Sequence, residues 1–268
     1  MGYYEELTSR TALLLGEDAV KKLSHIKVII FGVGGVGSWC AEALIRSGIC
    51  NLTVVDSDVI CSTNINRQIQ ATSQNIGKIK VEEIANRLKA INPNAEIFAV
   101  NKPFTKDNHE EFNLKDYDYI VDAIDSISNK IFLIETALTL NVKIISSMGA
   151  AAKIDPTKIK IANLSKTTNC PLAKIVRKGL RHDKFSTDLV CVYSDELPFK
   201  PQDITIKTDT DYRKEINTLG EIAIDWSKQK KQINGTVVYI TSVFGMMIAG
   251  AVINDAVNFI TFENILQS

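Results

Sequence analysis

Six residues, Gly32-Val33-Gly34-Gly35-Val36-Gly37, follow a short apolar run, Lys27–Phe31, and precede a stretch patterned as a helix, Ser38–Arg46. Glycines in that setting let a backbone approach a phosphate closely. The helix N-terminus behind them supplies oriented N–H groups and partial positive charge. Asp56 ends the next apolar run, Leu52–Asp56, where a carboxylate can accept both hydroxyls of a ribose. In this context the glycines read as a nucleotide site rather than a chance cluster. By themselves they do not separate NAD from ATP.

The residues that follow bear on that choice. The run from Asp56 to Gln68, which includes Asp58, sets Asn64, Asn66, Arg67 and Gln68 in the loop after the second strand. In an open α/β sheet that loop lies at the carboxyl edge, where ligands bind. An arginine there has little use for a hydride donor; against a triphosphate it neutralises charge as a phosphorus–oxygen bond breaks. Its plain alternative is a solvated arginine in a capped loop. Lys80 lies in the first turn of the next helix, where its charge opposes the helix dipole. Phosphate contact gives it a reason that helix structure does not, although exposed helix lysines are common. Asp125 and Ser126 fall just past the strand that starts at Tyr119. A carboxylate near phosphates is most simply a magnesium ligand, direct or through water. The alternative is that Asp125 or Ser126 caps the helix that follows. Asp122 reads as structural.

The elements that must hold these groups alternate. Asp18–His25 reads as a short helix. Lys78–Asn92 is the clearest helix, because Val81, Ile84, Ala85, Leu88 and Ile91 share one face and Pro93 ends it. Glu96–Val100, Tyr119–Ile124 and Val142–Ser146 read as strands, and Ser128–Leu140 as a helix. Strand alternating with helix means a parallel sheet covered on both faces. The expected fold class is α/β: a doubly wound, Rossmann-like, mostly parallel sheet with an added antiparallel C-terminal portion. Pro198–Lys214 is polar with scattered charge and reads as a long loop. Val237–Ile253 carries no charge and approaches bilayer-spanning length. It mixes β-branched residues with Gly245 and Gly250, and Asp255 and Glu263 follow it rather than a Lys/Arg flank. It therefore reads as a buried strand and helix, and membrane association is not expected.

With 268 residues, 45% of them apolar, the chain can bury a sizeable core without disulfides. Lys plus Arg and Asp plus Glu both number 31, which excludes a chain that coats nucleic acid along its whole length but not a local basic patch. DNA is not an expected partner. The one basic concentration is Lys166, Lys174, Arg177, Lys178, Arg181, His182 and Lys184. It suits an RNA backbone, and it is equally an ordinary solvated helix face. None of the cysteines, Cys40, Cys50, Cys61, Cys170 and Cys191, forms a C-x-x-C pair, so zinc-knuckle spacing is absent. Their odd count and the polar start, Met1–Arg10, suit a reducing cytosol, and a cytoplasmic location is expected. Cys61 reads as a small buried hydrophobe rather than a reactive thiol. His25, His109 and His182 are too scattered for a triad or a metal site.

In order, GVGGVG, VDSDVICSTNINRQ, NIGKIK and DAIDS resemble the signature of the ubiquitin-activating-like, ThiF-type adenylating superfamily. That resemblance covers Arg10 to about Gly149. SMGAAAKIDPT from Ser147, KTTNCPLAK from Lys166, Arg177–Arg181, Val192–Ser194 and Gly235–Asp255 resemble the branch that dehydrates threonylcarbamoyladenosine in tRNA. The likeness then spans nearly the whole chain, except about Pro201–Lys231. It implies one adenylating domain over 1–268, with a nucleotide-binding part at 10–149 and a part for substrate, tRNA and dimer support at 150–268. ATP and magnesium are the implied cofactors.

By this resemblance Gly32, Gly34, Gly35 and Gly37 lie at the nucleotide, Asp56 holds the ribose, Arg67 and Lys80 clamp the phosphates, and Asp125 carries magnesium. Asp58, Asn64, Asn66, Gln68 and Ser126 complete the site. Arg10 resembles an arginine that relatives lend to the neighbouring subunit's ATP, which implies a homodimer; its alternative is a solvated terminal residue. Lys174, Arg177, Lys178 and Arg181 would hold tRNA, and a sulfur-transfer protein is a further implied partner. Two departures count. Zinc-binding relatives that activate sulfur carriers have paired C-x-x-C motifs, and some relatives carry a crossover-loop cysteine near Lys230. Here Ser227–Gln232 has none, so no thioester or persulfide role is expected.

The implied reaction is ATP-dependent activation of the modification's carboxylate next to the anticodon. Ring closure by a nucleophile of the same modification follows, with much of the rate supplied by proximity. The rivals are adenylation of a ubiquitin-like or sulfur-carrier C-terminus, an NAD-dependent oxidoreductase and a non-catalytic nucleotide-binding scaffold. The oxidoreductase explains the glycines and Asp56 but not Arg67, Lys80 and Asp125 together.

Overall fold

Residues 2–200, 202 and 234–267 are described by the computed structural model of the chain. Two helices, α1 (Tyr3–Leu15) and α2 (Glu17–His25), precede the first strand, β1 (Lys27–Phe31). The chain then alternates through α3 (Gly37–Arg46), β2 (Asn51–Val55), α4 (Lys80–Ile91), β3 (Glu96–Val100), β4 (Tyr119–Asp122), α5 (Ile127–Leu140) and β5 (Lys143–Ser147). The C-terminal part adds β6 (Ile159–Asn163), α6 (Pro171–His182), β7 (Val190–Ser194), α7 (Val238–Ala256) and α8 (Phe262–Gln267).

All the described strands lie in one sheet of order β3-β2-β1-β4-β5-β7-β6. Every neighbouring pair is parallel except β6 with β7, which is antiparallel. The expected class is borne out, including the antiparallel addition. One sheet runs through both parts of the chain, because β7 adds directly to β5. Val28, Ile29, Ile30 and Phe31 are all buried. A strand covered on both faces needs such a continuous apolar run. Helix α4 buries Val81, Ile84, Ala85 and Leu88 from its apolar stripe.

The Val237–Ile253 stretch requires a correction. It forms no strand; a single helix, α7, runs from Val238 to Ala256. Its length and apolar composition would allow a membrane crossing, but more than half of it is buried within this protein. The β-branched residues are tolerated because the helix packs on α3 at close range. A Cβ on Gly245 would lie 2.5 Å from the Val36 carbonyl oxygen. Helix α1 falls on a stretch whose polarity alone suggested no element. The long-loop expectation for Pro198–Lys214 lies almost wholly outside the described residues, as does the crossover stretch 227–232.

Strand order reverses between β1 and β4, so the switch point of the sheet opens at their carboxyl ends. The loop after β1, the loop after β2 and the start of α5 all lead from this edge.

Candidate active site

The glycine loop is built by close packing. Gly32 has φ of 89°, in the left-handed region, and a Cβ there would lie 2.6 Å from the Ala123 carbonyl oxygen. A Cβ on Gly37 would lie 1.8 Å from the Gly32 carbonyl, so the turn from β1 into α3 closes only around two glycines.

Asp56 fastens this loop to β2. Its two carboxylate oxygens accept the Val33 and Asp58 backbone N–H groups, each at 2.9 Å. A carboxylate has about four lone-pair sites, so two remain for ribose hydroxyls. Burial raises the Asp56 carboxyl's pKa, the Lys80 ammonium opposes that shift, and Asp58 adds to it. Lys80 is buried at the first position of α4, and its Nζ lies 2.9 Å from Asp58 Oδ2. A buried cation is thus held at the mouth of the crevice by a partner whose side chain is 36% exposed.

Arg67 lies along the glycine loop: a Cβ on Gly35 would meet its Cγ and Cδ at 3.2 Å. Its Nη1 donates to the Thr63 carbonyl at 2.7 Å and to Asn66 Oδ1 at 2.9 Å. Its carbonyl accepts from Trp39 Nε1 on α3 at 2.9 Å. Both Nη1 hydrogens are therefore committed to anchoring, which leaves Nε and Nη2 as a fork for a phosphate. Gln68 is buried, with Nε2 4.0 Å from where a Gly34 Cβ would stand.

Asn64 is 1% exposed. Its Oδ1 accepts the Cys61 N–H at 3.1 Å, and its Nδ2 is buried without a hydrogen-bond partner. A buried donor left open costs about 1–3 kcal/mol unless a ligand takes it, so this amide fits a nucleotide oxygen. Cys61 is 2% exposed, in line with its reading as a small buried hydrophobe. Asn66 is used otherwise: its Nδ2 donates to the Thr236 carbonyl at 3.1 Å while its Oδ1 receives Arg67.

Asp125 is exposed between β4 and α5, at the same carboxyl edge. Ser126 holds the N-cap position of α5, but its side chain makes no capping bond and lies 3.4 Å from Ser128 Oγ. Among the described residues no group of three or more His, Cys, Asp or Glu side chains is arranged as a metal site. A magnesium ion held by one carboxylate, phosphates and water suits that donor set. Arg10 is exposed on α1, near the exposed Leu13 and Leu14.

Sequence reasoning passed over Lys130. Its Nζ, side chain 1% exposed, donates to Asp122 Oδ2 at 2.7 Å and to the Ser147 carbonyl at 3.0 Å. Asp122, read as structural, is fully buried, accepts Ser146 Oγ at 2.5 Å and also caps the Ile124 N–H at 3.1 Å. The signal was present: Lys130 lies three, four and seven residues before Leu133, Ile134 and Ala137, the buried face of α5.

On α6, Lys174, Lys178 and Arg181 are exposed. Arg177 is not part of that face. Its Nη1 donates to the Leu164 carbonyl at 3.1 Å, the Thr167 carbonyl at 3.0 Å and the Thr167 hydroxyl, which clasps α6 to the segment before it.

A doubly wound sheet with a glycine loop at its switch point, an aspartate bonded to that loop and an arginine and a buried lysine nearby is the architecture of a nucleotide-binding protein. Residues 8–265 match the ThiF family, and the chain belongs to it. A curated Bacillus subtilis (strain 168) protein, tRNA threonylcarbamoyladenosine dehydratase, is 37% identical over 257 residues, which is 96% of this chain and 97% of that one. An Escherichia coli (strain K12) protein of the same name is 39% identical over 199 residues, 72% and 74% of the two chains. The solved structure of E. coli tRNA N6-threonylcarbamoyladenosine dehydratase in complex with ATP is similar with a TM-score of 0.80 and 31% identity, covering 95% of each chain.

Proposed function

We propose that this protein uses ATP to activate the carboxylate of threonylcarbamoyladenosine in tRNA, next to the anticodon, and so dehydrates it to the cyclic form. The reading rests above all on Asp56 bonded to the glycine loop, Arg67 packed along it, Lys80 paired with Asp58 and Asp125 at the same carboxyl edge of the sheet, in a chain matched along its length by a dehydratase of that modification. The carboxylate oxygen attacks the α-phosphorus of ATP and pyrophosphate leaves. A nucleophile within the same modification then attacks the acyl carbon and AMP leaves. Loss of water is the net change, and no enzyme nucleophile is needed.

The residues divide the work. Asp56 orients the ribose, and the open Asn64 amide and the Arg67 fork receive phosphate oxygens. Lys80, itself buried, adds a fixed positive charge whose effect on developing negative charge is stronger than that of a solvated lysine. Asp125 would hold magnesium, which when bound offsets negative charge on the phosphates. Arg10 would complete the site of a second copy in a homodimer, and Leu13 and Leu14, 84% and 83% exposed, are apolar surface such a copy would cover. The Lys174, Lys178 and Arg181 face would receive the RNA backbone. The proposed setting is the cytoplasm, where tRNA is available.

The decisive experiment incubates the protein with ATP, magnesium and tRNA carrying threonylcarbamoyladenosine. Mass spectrometry of the nucleosides should show loss of one water, with AMP and pyrophosphate released in step. Unchanged nucleosides would refute the reading. An adenylate on a small carrier protein instead, with a sulfur-transfer partner to accept from it, would favour the carrier-activating rival.

A further inference from the structure

Asn66 ties the loop that carries Arg67 to the C-terminal half of the chain. Asn66 is exposed, yet both ends of its amide are engaged. Its Oδ1 receives Arg67 Nη1 at 2.9 Å and its Nδ2 donates to the Thr236 carbonyl at 3.1 Å, 170 residues away in sequence. The bond is made by the short segment that leads into α7, and the same segment is pinned a second time. The Gly235 carbonyl accepts the Ala152 N–H at 2.8 Å, and the Ala152 carbonyl accepts the Phe199 N–H at 2.9 Å. Ala152 has φ of 60°, in the left-handed region, so this junction holds a conformation alanine rarely adopts. The loop containing Ala152 backs onto α6: a Cβ on Gly149 would lie 3.7 Å from both Cys170 Sγ and Leu172 Cβ. A series of contacts and short backbone links therefore runs from the start of α6 through Gly149, Ala152, Gly235 and Thr236 to Asn66, and ends on the guanidinium of Arg67, whose Cγ and Cδ lie along the glycine loop.

We propose that Asn66 is a positioning residue that couples tRNA engagement by the C-terminal half to the placement of Arg67 on ATP, rather than a direct nucleotide contact. The physical reason is the geometry of the amide. Its donor and acceptor are rigidly linked, so any shift of the Thr236 carbonyl is passed to Arg67 Nη1. Nη1 has no freedom to compensate, because its other hydrogen is tied to the Thr63 carbonyl. Binding free energies are reciprocal, so tRNA should tighten ATP by the same factor that ATP tightens tRNA. The inference rests on the proposed tRNA substrate, and the test keeps the two apart.

Wild type, Asn66→Ala and Asn66→Asp are compared as full-length proteins, with melting temperatures checked first. ATP dissociation constants are measured by calorimetry with and without tRNA, using a non-reactive tRNA that lacks the modification. In wild type we expect ATP affinity to rise about fivefold or more with tRNA present, within the range of ordinary coupling factors. In Asn66→Ala, ATP binding without tRNA should stay within about threefold of wild type, the tRNA-dependent gain should vanish, the tRNA dissociation constant at saturating ATP should rise by the same factor of about five or more, and kcat should fall at least about tenfold. Asn66→Asp keeps the acceptor for Arg67 and loses the donor to Thr236, so it too should lose the gain; retention of the gain in this variant would overturn the proposal. A variant Asn66→Ala with wild-type coupling and kcat would show a plain loop residue. Loss of ATP binding by that variant in the absence of tRNA would show a direct nucleotide contact. If wild type does not modify tRNA at all, the functional reading fails and this inference with it. If wild type does so but shows no coupling, the inference alone fails.

Discussion

Arg67 can be tested for the shape of its side chain and not only for its charge. Two of its five donors are spent on Thr63 and Asn66, which leaves Nε and Nη2 for the nucleotide. Removing one preorganised donor from a developing charge costs about 2.7–4 kcal/mol, or roughly 10²- to 10³-fold in rate. Arg67→Ala removes at least that, so kcat should fall about a hundredfold or more. Arg67→Lys retains the charge but offers one ammonium in place of a planar fork. It cannot hold both anchors and a phosphate pair together. The loss of about one charge-assisted hydrogen bond, roughly 1.5–3 kcal/mol, predicts a fall of about 10- to 100-fold. The assay is single-turnover dehydration at saturating ATP and tRNA, with the melting temperature as a control for folding. Arg67→Lys within about threefold of wild type would show that the fork is not used. Normal turnover by Arg67→Ala would reduce Arg67 to an anchor for its own loop.

Arg10→Ala and Asp125→Ala should each be inactive, and mixing them under subunit exchange should restore part of the activity, since a hybrid dimer holds one complete site; proven exchange without recovery would count against sharing. Lys130→Met strands the buried Asp122 carboxylate and should cost about 3–5 kcal/mol by urea unfolding, while adding Asp122→Asn should recover much of it. Reversal of Lys174, Lys178 and Arg181 to Glu should weaken tRNA binding and flatten its salt dependence by roughly 0.7 in log–log slope per lost contact, with ATP binding unaltered; an unchanged slope would mark the face as solvated only. Burial alone would raise the Asp255 carboxyl's pKa, but hydrogen bonds from Lys143, Tyr119 and the Phe262 N–H outweigh it and the net shift is downward. The stability from that depressed value is present above about pH 4 and is lost as pH falls through the folded-state pKa. The stability gap between wild type and Asp255→Asn should therefore close on acidification, and a constant gap would contradict it.

The nucleotide half is the more legible part of the chain because its chemistry and its folding signals coincide. Gly32 and Gly37 turn β1 into α3, Gly34 and Gly35 between them face Gln68 and Arg67, and the aspartate that follows β2 is tied to Val33. Each residue is marked both by type and by its position after a strand. Asn66 was grouped with the nucleotide ligands because it sits between Asn64 and Arg67, but the partner that gives it another use, Thr236, is 170 residues away. Sequence spacing carries no information about that bond. Lys130 was missed for the opposite reason: a lysine in a helix is ordinarily solvated, and only the packing of α5 shows that this one faces the sheet.

The C-terminal half shows where residue type misleads. A run of basic residues reads as one electrostatic surface, yet helical geometry divides it. Lys174, Lys178 and Arg181 are spaced by four and three residues and share a face. The face buried by Ala173, Val176 and Leu180 lies opposite, and Arg177, beside Val176 in sequence, lies at its boundary. There a guanidinium finds carbonyls rather than solvent, and Arg177 closes the turn at Leu164 and Thr167. Its charge still adds to the field of the helix, but its Nη1 is held by those carbonyls and the Thr167 hydroxyl. A charge-reversal set that includes Arg177 would therefore unfasten α6 as well as repel RNA, and its effect on tRNA binding would not distinguish a lost surface from a displaced helix. The three-residue set separates those outcomes, since it leaves the clasp intact.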